Sequence, residues 1–147
     1  MKLVYVAGPY RAKTVWGVEQ NILAAQRVTA QVLAIDGLHP VCPHMNTRQM
    51  EGIASDEQVL EGTLEMLRRC DAVILVGDWK HSAGTRGEVV EAFALRLPIL
   101  YAWSDEFYSA GIMRDLAATM AGYRAHEGSQ DPVHGFFWFS TTCLWRQ

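Results

Sequence analysis

The sequence, 147 residues long, lacks most of the features that announce a function at sight. It has three cysteines, Cys42, Cys70 and Cys143, and no Cys-x-x-Cys pair. An odd, scattered set argues for a reducing compartment over a disulfide scaffold. No apolar run approaches the roughly 18 residues that cross a bilayer. The opening residues lack the cationic and long apolar regions of a signal peptide. A cytoplasmic protein with no membrane partner is therefore expected. The formal net charge is only -3, which gives no electrostatic reason to expect a nucleic acid polymer as partner. The Gly-Lys-Ser/Thr of a phosphate-binding loop, the glycines of a dinucleotide fingerprint and the Gly-x-Ser-x-Gly elbow are all absent. His39, Cys42 and His44 stand close in sequence, but structural zinc needs four ligands, commonly in two paired clusters. No metal or other cofactor is expected.

What is present is an ordinary globular composition, half hydrophobic and one fifth charged. Its length suits one domain, residues 1–147, with a sizeable core. Lys2 to Ala7 is a β-rich run stopped by Gly8-Pro9. Val18, Ile22, Ala25, Val28 and Val32 then recur at three- and four-residue spacing, predicting a helix from about Val15 to Ile35 that stops at Asp36-Gly37. Leu38 to Cys42 is a second strand, placed near an edge by Pro40. Pro43 to Ile53 reads as polar and irregular. Ser55 can cap a helix whose apolar face is Val59, Leu60, Leu64 and Leu67. Ala72 to Val76 is continuously apolar, as a strand covered on both faces should be. A helix from about Thr85 to Arg96 and a strand from Leu97 to Ala102 follow, then a helix after Ser104. The last stretch, Phe136-Phe-Trp-Phe139, reads as a strand or a docking segment. No repeat, low-complexity tract or linker interrupts the alternation. The predicted fold is α/β: a single doubly wound domain with a four- to five-stranded parallel sheet flanked by helices, flavodoxin- or Rossmann-like.

In such sheets ligands bind beyond the carboxyl ends of the strands, which directs attention to two loops. Gly8-Pro9-Tyr10-Arg11 follows the first strand. It is by itself an ordinary turn, but Arg11 beside the crevice would suit a phosphate or carboxylate. Ser82-x-Gly84-x-x-x-Glu88 follows the third strand. Its glycines would let backbone approach a ligand, and amide groups at a helix start bind anions. Glu88 aimed into the crevice could attack an electrophilic carbon or activate water. The alternative is a glutamate favoured in a helix's first turn for electrostatic reasons alone. Glu91, one turn on, reads as exposed or structural. His44, in the loop after the second strand, could contact a substrate.

Taken together, Val4-Tyr5-Val6-Ala7-Gly8-Pro9-Tyr10, Cys70-Asp71-Ala-Val-Ile-Leu and Gly77-Asp-Trp79-x-x-Ser82-x-Gly84-x-x-x-Glu88-x-x-x-Ala92 resemble the nucleoside 2-deoxyribosyltransferase superfamily. That group includes nucleoside 5′-monophosphate N-hydrolases and a small uncharacterised phage and bacterial branch. The resemblance spans about residues 2 to 102. It implies that Glu88 is a nucleophile attacking the sugar C1′, with Tyr5 orienting it. It further implies that Gly8, Pro9, Tyr10 and Arg11 surround the sugar and its 5′ end, and that the partner is a small nucleotide or nucleoside. Transferases tend to carry an acidic residue where Ser82 stands, and nucleotide hydrolases a serine. Ser82, Gly84 and Arg11 thus point to a 5′-monophosphate. Members are commonly dimers or larger. One departure is Thr63, which stands where better-known members have an aspartate that assists at the sugar and base. Asp56, Glu61 or Glu65 would have to substitute, or else the chain binds a nucleotide without cleaving it.

Overall fold

The computed structural model describes residues 1–102. The helix expected after Ser104, the aromatic run 136–139 and Cys143 lie outside the described residues. Eight elements run in the order β1 (Lys2–Ala7), α1 (Val15–Leu33), β2 (Leu38–Val41), α2 (Pro43–Asn46), α3 (Asp56–Arg68), β3 (Ala72–Val76), α4 (Ala83–Ala94) and β4 (Ile99–Ala102), with a 3-10 turn at Trp79–His81. The strands form one parallel sheet in the order β2-β1-β3-β4. This is the α/β architecture predicted from the alternating pattern, and β2, with Pro40, takes an edge.

The alternation of side chains along a strand decides what each face of the sheet holds. Val4 and Val6 point to the face covered by α1, where they pack with Ala25, Val28 and Val32. Tyr5 and Ala7 point to the other face, with Leu67 of α3 and Ala92 of α4. β3 is buried along its whole length, because helices cover both of its faces; each such Val or Ile contributes about 1.5–3 kcal/mol when fully buried. The chain leaves β1 for β2 under α1, then crosses back to β3 under α3. Strand order therefore reverses between β1 and β3, the kind of switch point beyond whose carboxyl ends open α/β sheets bind ligands.

Local chemistry fixes the element boundaries. Thr14 caps α1 by accepting from the Gly17 amide, Ser55 caps α3 through Gln58, and Ser82 caps α4 through Thr85. Gly37, at φ +82°, supplies the left-handed residue between α1 and β2. Asp71 ties the start of β3 to the start of β1. It accepts from Lys2 Nζ at 2.8 Å and from the Leu3 amide at 2.7 Å, while its own amide donates to the Leu3 carbonyl.

Three boundaries differ from the sequence-based expectation. Pro43 to Asn46, expected to be irregular, is a short helix, with proline at a first-turn position where its missing N–H costs nothing. α4 begins at Ala83, two residues earlier than expected, because Ser82 is its cap. β4 starts at Ile99, since only there does pairing with Val73 begin.

Candidate active site

Beside that switch point β1 and α4 are in direct contact. Tyr5 sits mid-strand and pairs in register with Val41 on one side and Val73 on the other, so its backbone cannot shift without breaking two ladders. Strand alternation sends its ring towards α3 and α4. On α4 the buried residues Thr85, Glu88 and Ala92 recur at three- and four-residue spacing and turn towards the same face. The Tyr5 hydroxyl donates to Glu88 Oε1 at 2.6 Å, a bond joining residues 83 positions apart.

Both partners are sealed, with Tyr5 0% and Glu88 8% exposed. Burial opposes ionisation of the carboxyl and pushes Glu88 up to about 7, although the Tyr5 hydrogen bond pulls in the opposite direction. Burial, and then the neighbouring Glu88 charge, raise the Tyr5 phenol far above its ordinary value, so it acts as a donor and stays protonated. Glu88 is thus a carboxyl group near half ionisation at neutral pH, oriented by one fixed phenol. Such a group can act as nucleophile, base or acid.

Thr63 is buried on α3, and its hydrogen bonding lowers the Tyr5 phenol against the rise that burial and Glu88 impose. Its hydroxyl also lies 2.9 Å from the Leu60 carbonyl. The other carboxylates of α3 that were considered as substitutes are differently engaged: Asp56 pairs with Arg11, and Glu65 with Arg69 and Arg68. Glu61 is exposed. Glu91 accepts from Arg68 at 2.6 Å and links α4 to α3, a structural role.

The β1–α1 loop forms the second wall. Gly8 is squeezed between strands: a Cβ there would lie 2.5 Å from Val76 Cγ2 and 3.0 Å from the Val76 carbonyl oxygen. The Pro9 carbonyl oxygen lies 3.1 Å from His44 Nε2. His44 is buried, and burial lowers its pKa, so the ring is neutral at pH 7 with that nitrogen as donor. Its ring also packs at 5.9 Å against Tyr10, and Tyr10 donates to Glu51 at 2.5 Å. Arg11 is exposed and forms an ion pair with Asp56. His44 therefore holds the loop instead of standing open to the crevice.

Ser82 accepts from the Thr85 amide at 3.3 Å and from the Thr85 hydroxyl at 2.9 Å. Gly84 leaves room for α3, since a Cβ there would sit 3.2 Å from Leu60 Cδ2. Of the residues singled out from sequence, the structure brings Tyr5 and Glu88 into direct contact. Gly8, Pro9 and Tyr10 form one loop, against which His44 of α2 packs. Ser82 and Gly84 lie at the start of the helix that carries Glu88.

Residues that sequence reasoning passed over are Thr85, which carries the Ser82 hydroxyl, and Asn21, whose amide donates to the Tyr10 and Arg11 carbonyls at 3.2 and 3.3 Å. Thr85 could have been found from its position three residues before Glu88, on the same helix face. Nothing in the local pattern marks Asn21.

Residues 2–102 match the family model described as Domain of unknown function (DUF7768). No curated protein matches the chain. Several solved chains align with it, two of them as follows. One is a 2-desoxiribosyltransferase from Leishmania mexicana, 24% identical with a TM-score of 0.49, over 69% of this chain and 63% of that one. The other is a 2-deoxyribosyltransferase from Bacillus psychrosaccharolyticus, 20% identical with a TM-score of 0.49, over 67% of this chain and 70% of that one.

Proposed function

We propose, from the premise that this chain belongs to the family described as Domain of unknown function (DUF7768), that it cleaves the N-glycosidic bond of a nucleoside 5′-monophosphate or nucleoside with Glu88 as nucleophile. The observation that carries this reading is the buried 2.6 Å bond from Tyr5 to Glu88 beside the point where the strand order reverses. The motif resemblance to 2-deoxyribosyltransferases and nucleotide N-hydrolases supports it.

In this reaction an ionised Glu88 oxygen forms a bond to C1′ as the bond from C1′ to the base nitrogen breaks. The electron pair leaves with the base, which takes up a proton from solvent, and the attacking water or second base returns one to solvent in the step that follows. Water, or a second free base, then attacks C1′ and Glu88 departs as a carboxylate. The transition state is oxocarbenium-like, and a nearby carboxylate stabilises the developing positive charge. Tyr5 keeps one Glu88 oxygen occupied and so aims the other. Ser82 would meet the 5′-phosphate, and Arg11 would exchange Asp56 for it. A homo-oligomer belongs to the same proposal.

The test is to incubate the protein with a panel of ribo- and deoxyribonucleotides and nucleosides and follow free base. Release that disappears in Glu88→Ala is expected. No release across a broad panel, or equal release by the variant, would overturn the proposal. Adding a second base separates transfer, which makes a new nucleoside, from hydrolysis.

A second reading, nucleotide binding without cleavage, is favoured by Thr63, which offers the Tyr5–Glu88 pair an alcohol and not a second carboxylate. It predicts stabilisation of about 2.7 kcal/mol at a hundredfold excess of nucleotide over the dissociation constant, with no turnover. Turnover that depends on Glu88 would remove it.

A further inference from the structure

Three consecutive carbonyls of the β1–α1 loop, those of Pro9, Tyr10 and Arg11, accept hydrogen bonds from side chains. His44 of α2 lies 3.1 Å from the Pro9 oxygen. Asn21 of α1 donates from its one amide nitrogen to Tyr10 at 3.2 Å and to Arg11 at 3.3 Å. That nitrogen carries two protons and so can serve both acceptors at once. Among the described residues, nothing else bonds to the backbone of Tyr10 or Arg11.

The rest of the loop is fixed by other means. Gly8 is locked against Val76, and Pro9 sets its own φ. The Tyr10 and Arg11 side chains reach Glu51 and Asp56, and both pairs are exposed. Exposed pairs hold a chain weakly, so the course of the Tyr10–Arg11 backbone depends on Asn21. For α1 itself this residue is a poor choice. It stands in the second turn of a 19-residue helix, where asparagine propagates a helix less well than leucine or alanine.

The placement gives the grip a direction. α1 covers the sheet face of Val4 and Val6, whereas Asp56 begins α3, which covers the face where Tyr5 meets Glu88. The loop thus runs past the carboxyl end of β1 between the two faces, with its carbonyls held from α1 and its Arg11 side chain turned to α3. We propose that Asn21 is a positioning residue: by holding the Tyr10 and Arg11 carbonyls it fixes where the Arg11 guanidinium stands to receive an anionic 5′ end. The role rests on the proposed reading of this loop as the wall at the ligand's 5′ end. Asn21 touches no ligand and acts through the backbone of Arg11. When a phosphate takes the place of Asp56, the Arg11 side chain turns while its carbonyl stays on Asn21.

Asn21→Leu is the informative variant, since leucine has nearly the shape of asparagine, favours the helix and has no proton to give. Binding is measured by titration calorimetry on the full chain carrying Glu88→Gln, with and without Asn21→Leu, so that the proposed nucleophile consumes no ligand. The probes are the common ribo- and 2′-deoxyribonucleoside 5′-monophosphates, each beside its parent nucleoside. Asn21→Leu should weaken monophosphate binding about tenfold, as expected for misplacing one charged hydrogen bond, and nucleoside binding less than about twofold. Asn21→Ala, which adds no apolar surface, should give the same pattern. A merely structural role would lower the melting temperature and weaken both ligands together. That result, an unchanged monophosphate affinity, or no monophosphate binding by the Glu88→Gln chain would each overturn the role. Base release is not the readout, so the proposed reaction can fail while this role stands. A chain that cleaves nucleosides and binds no monophosphate would keep the reaction and lose the role.

Discussion

A carboxyl group shut away from water, with a phenol as its bonded partner, is a liability to the fold, and Glu88 shows the size of that liability. Its pKa moves from an ordinary 4.5 to about 7. The folded state therefore holds the Glu88 proton more tightly than the unfolded chain does. The associated stability is fully present below about 4.5 and is lost as pH rises through 7. Replacing the acid by its amide removes this loss while retaining an acceptor for Tyr5. Glu88→Gln should thus be more stable than wild type at pH 8, by an amount on the order of 3 kcal/mol, with the advantage gone near pH 4.5. Urea denaturation at the two pH values measures it. Activity should follow the opposite slope, because only the carboxylate attacks: kcat/KM for base release should rise with pH to a plateau above 7. Tyr5→Phe deletes the bond that favours the charged form, so its rising limb should lie at higher pH. A pH–rate series on both proteins decides this. The Tyr5–Glu88 contact was foreseen through the family resemblance of the stretches that carry the two residues, since the pattern alone left Glu88 open between a reacting group and a first-turn glutamate. Thr85 was passed over although its place three residues before Glu88 marks it, and Asn21 was not legible, since its partners are two loop carbonyls that only the folded chain brings near.

At the level of elements, the site is a joint between two strand ends and two helices, and its tolerances are tight. Gly8 permits β1 to close on Val76 at the end of β3. Gly8→Ala must displace a Val76 methyl group and crowd its carbonyl, so a loss of about 1–3 kcal/mol is expected, read as a lower denaturation midpoint. The Arg68–Glu91 bond between α3 and α4 is partly exposed, and breaking it should leave the denaturation midpoint nearly unchanged. The strands and long helices were readable because their periodicities are strong: Ala72 to Val76 has no polar residue, and α1 buries Ile22, Ala25, Val28 and Val32 in helical register. α2 was not readable, because four residues hold barely one turn and proline at its start resembles a loop signal. The meaning of Gly84 also changed. The pattern spoke of a ligand's approach, whereas the nearest obstacle to a side chain there is Leu60 of the neighbouring helix.

For the molecule as a whole, two buried or half-buried carboxyl groups tilt stability in opposite senses. Burial alone would raise Asp71, but its bonds from Lys2 and the Leu3 amide outweigh this and hold it below the ordinary carboxylate range. Its contribution is present above about 3.9 and lost as pH falls through the lower folded value. With Glu88 acting against stability as pH rises above about 4.5, these two groups favour a maximum at about pH 4 to 4.5, on the acid side of the rise in activity. A melting-temperature profile against pH checks this, and Asp71→Asn should flatten its acid limb. The parallel sheet has a further consequence, which concerns the order of events in folding. β1 pairs with both β2 and β3, yet it precedes both in the chain, and no two neighbouring strands are joined by a hairpin. The central strand cannot find its second partner until Ala72–Val76 has been synthesised and brought across α3. Until then one of its edges stays open, and the slow, non-local step of closing it is the interval in which the chain is most exposed to association with its own copies.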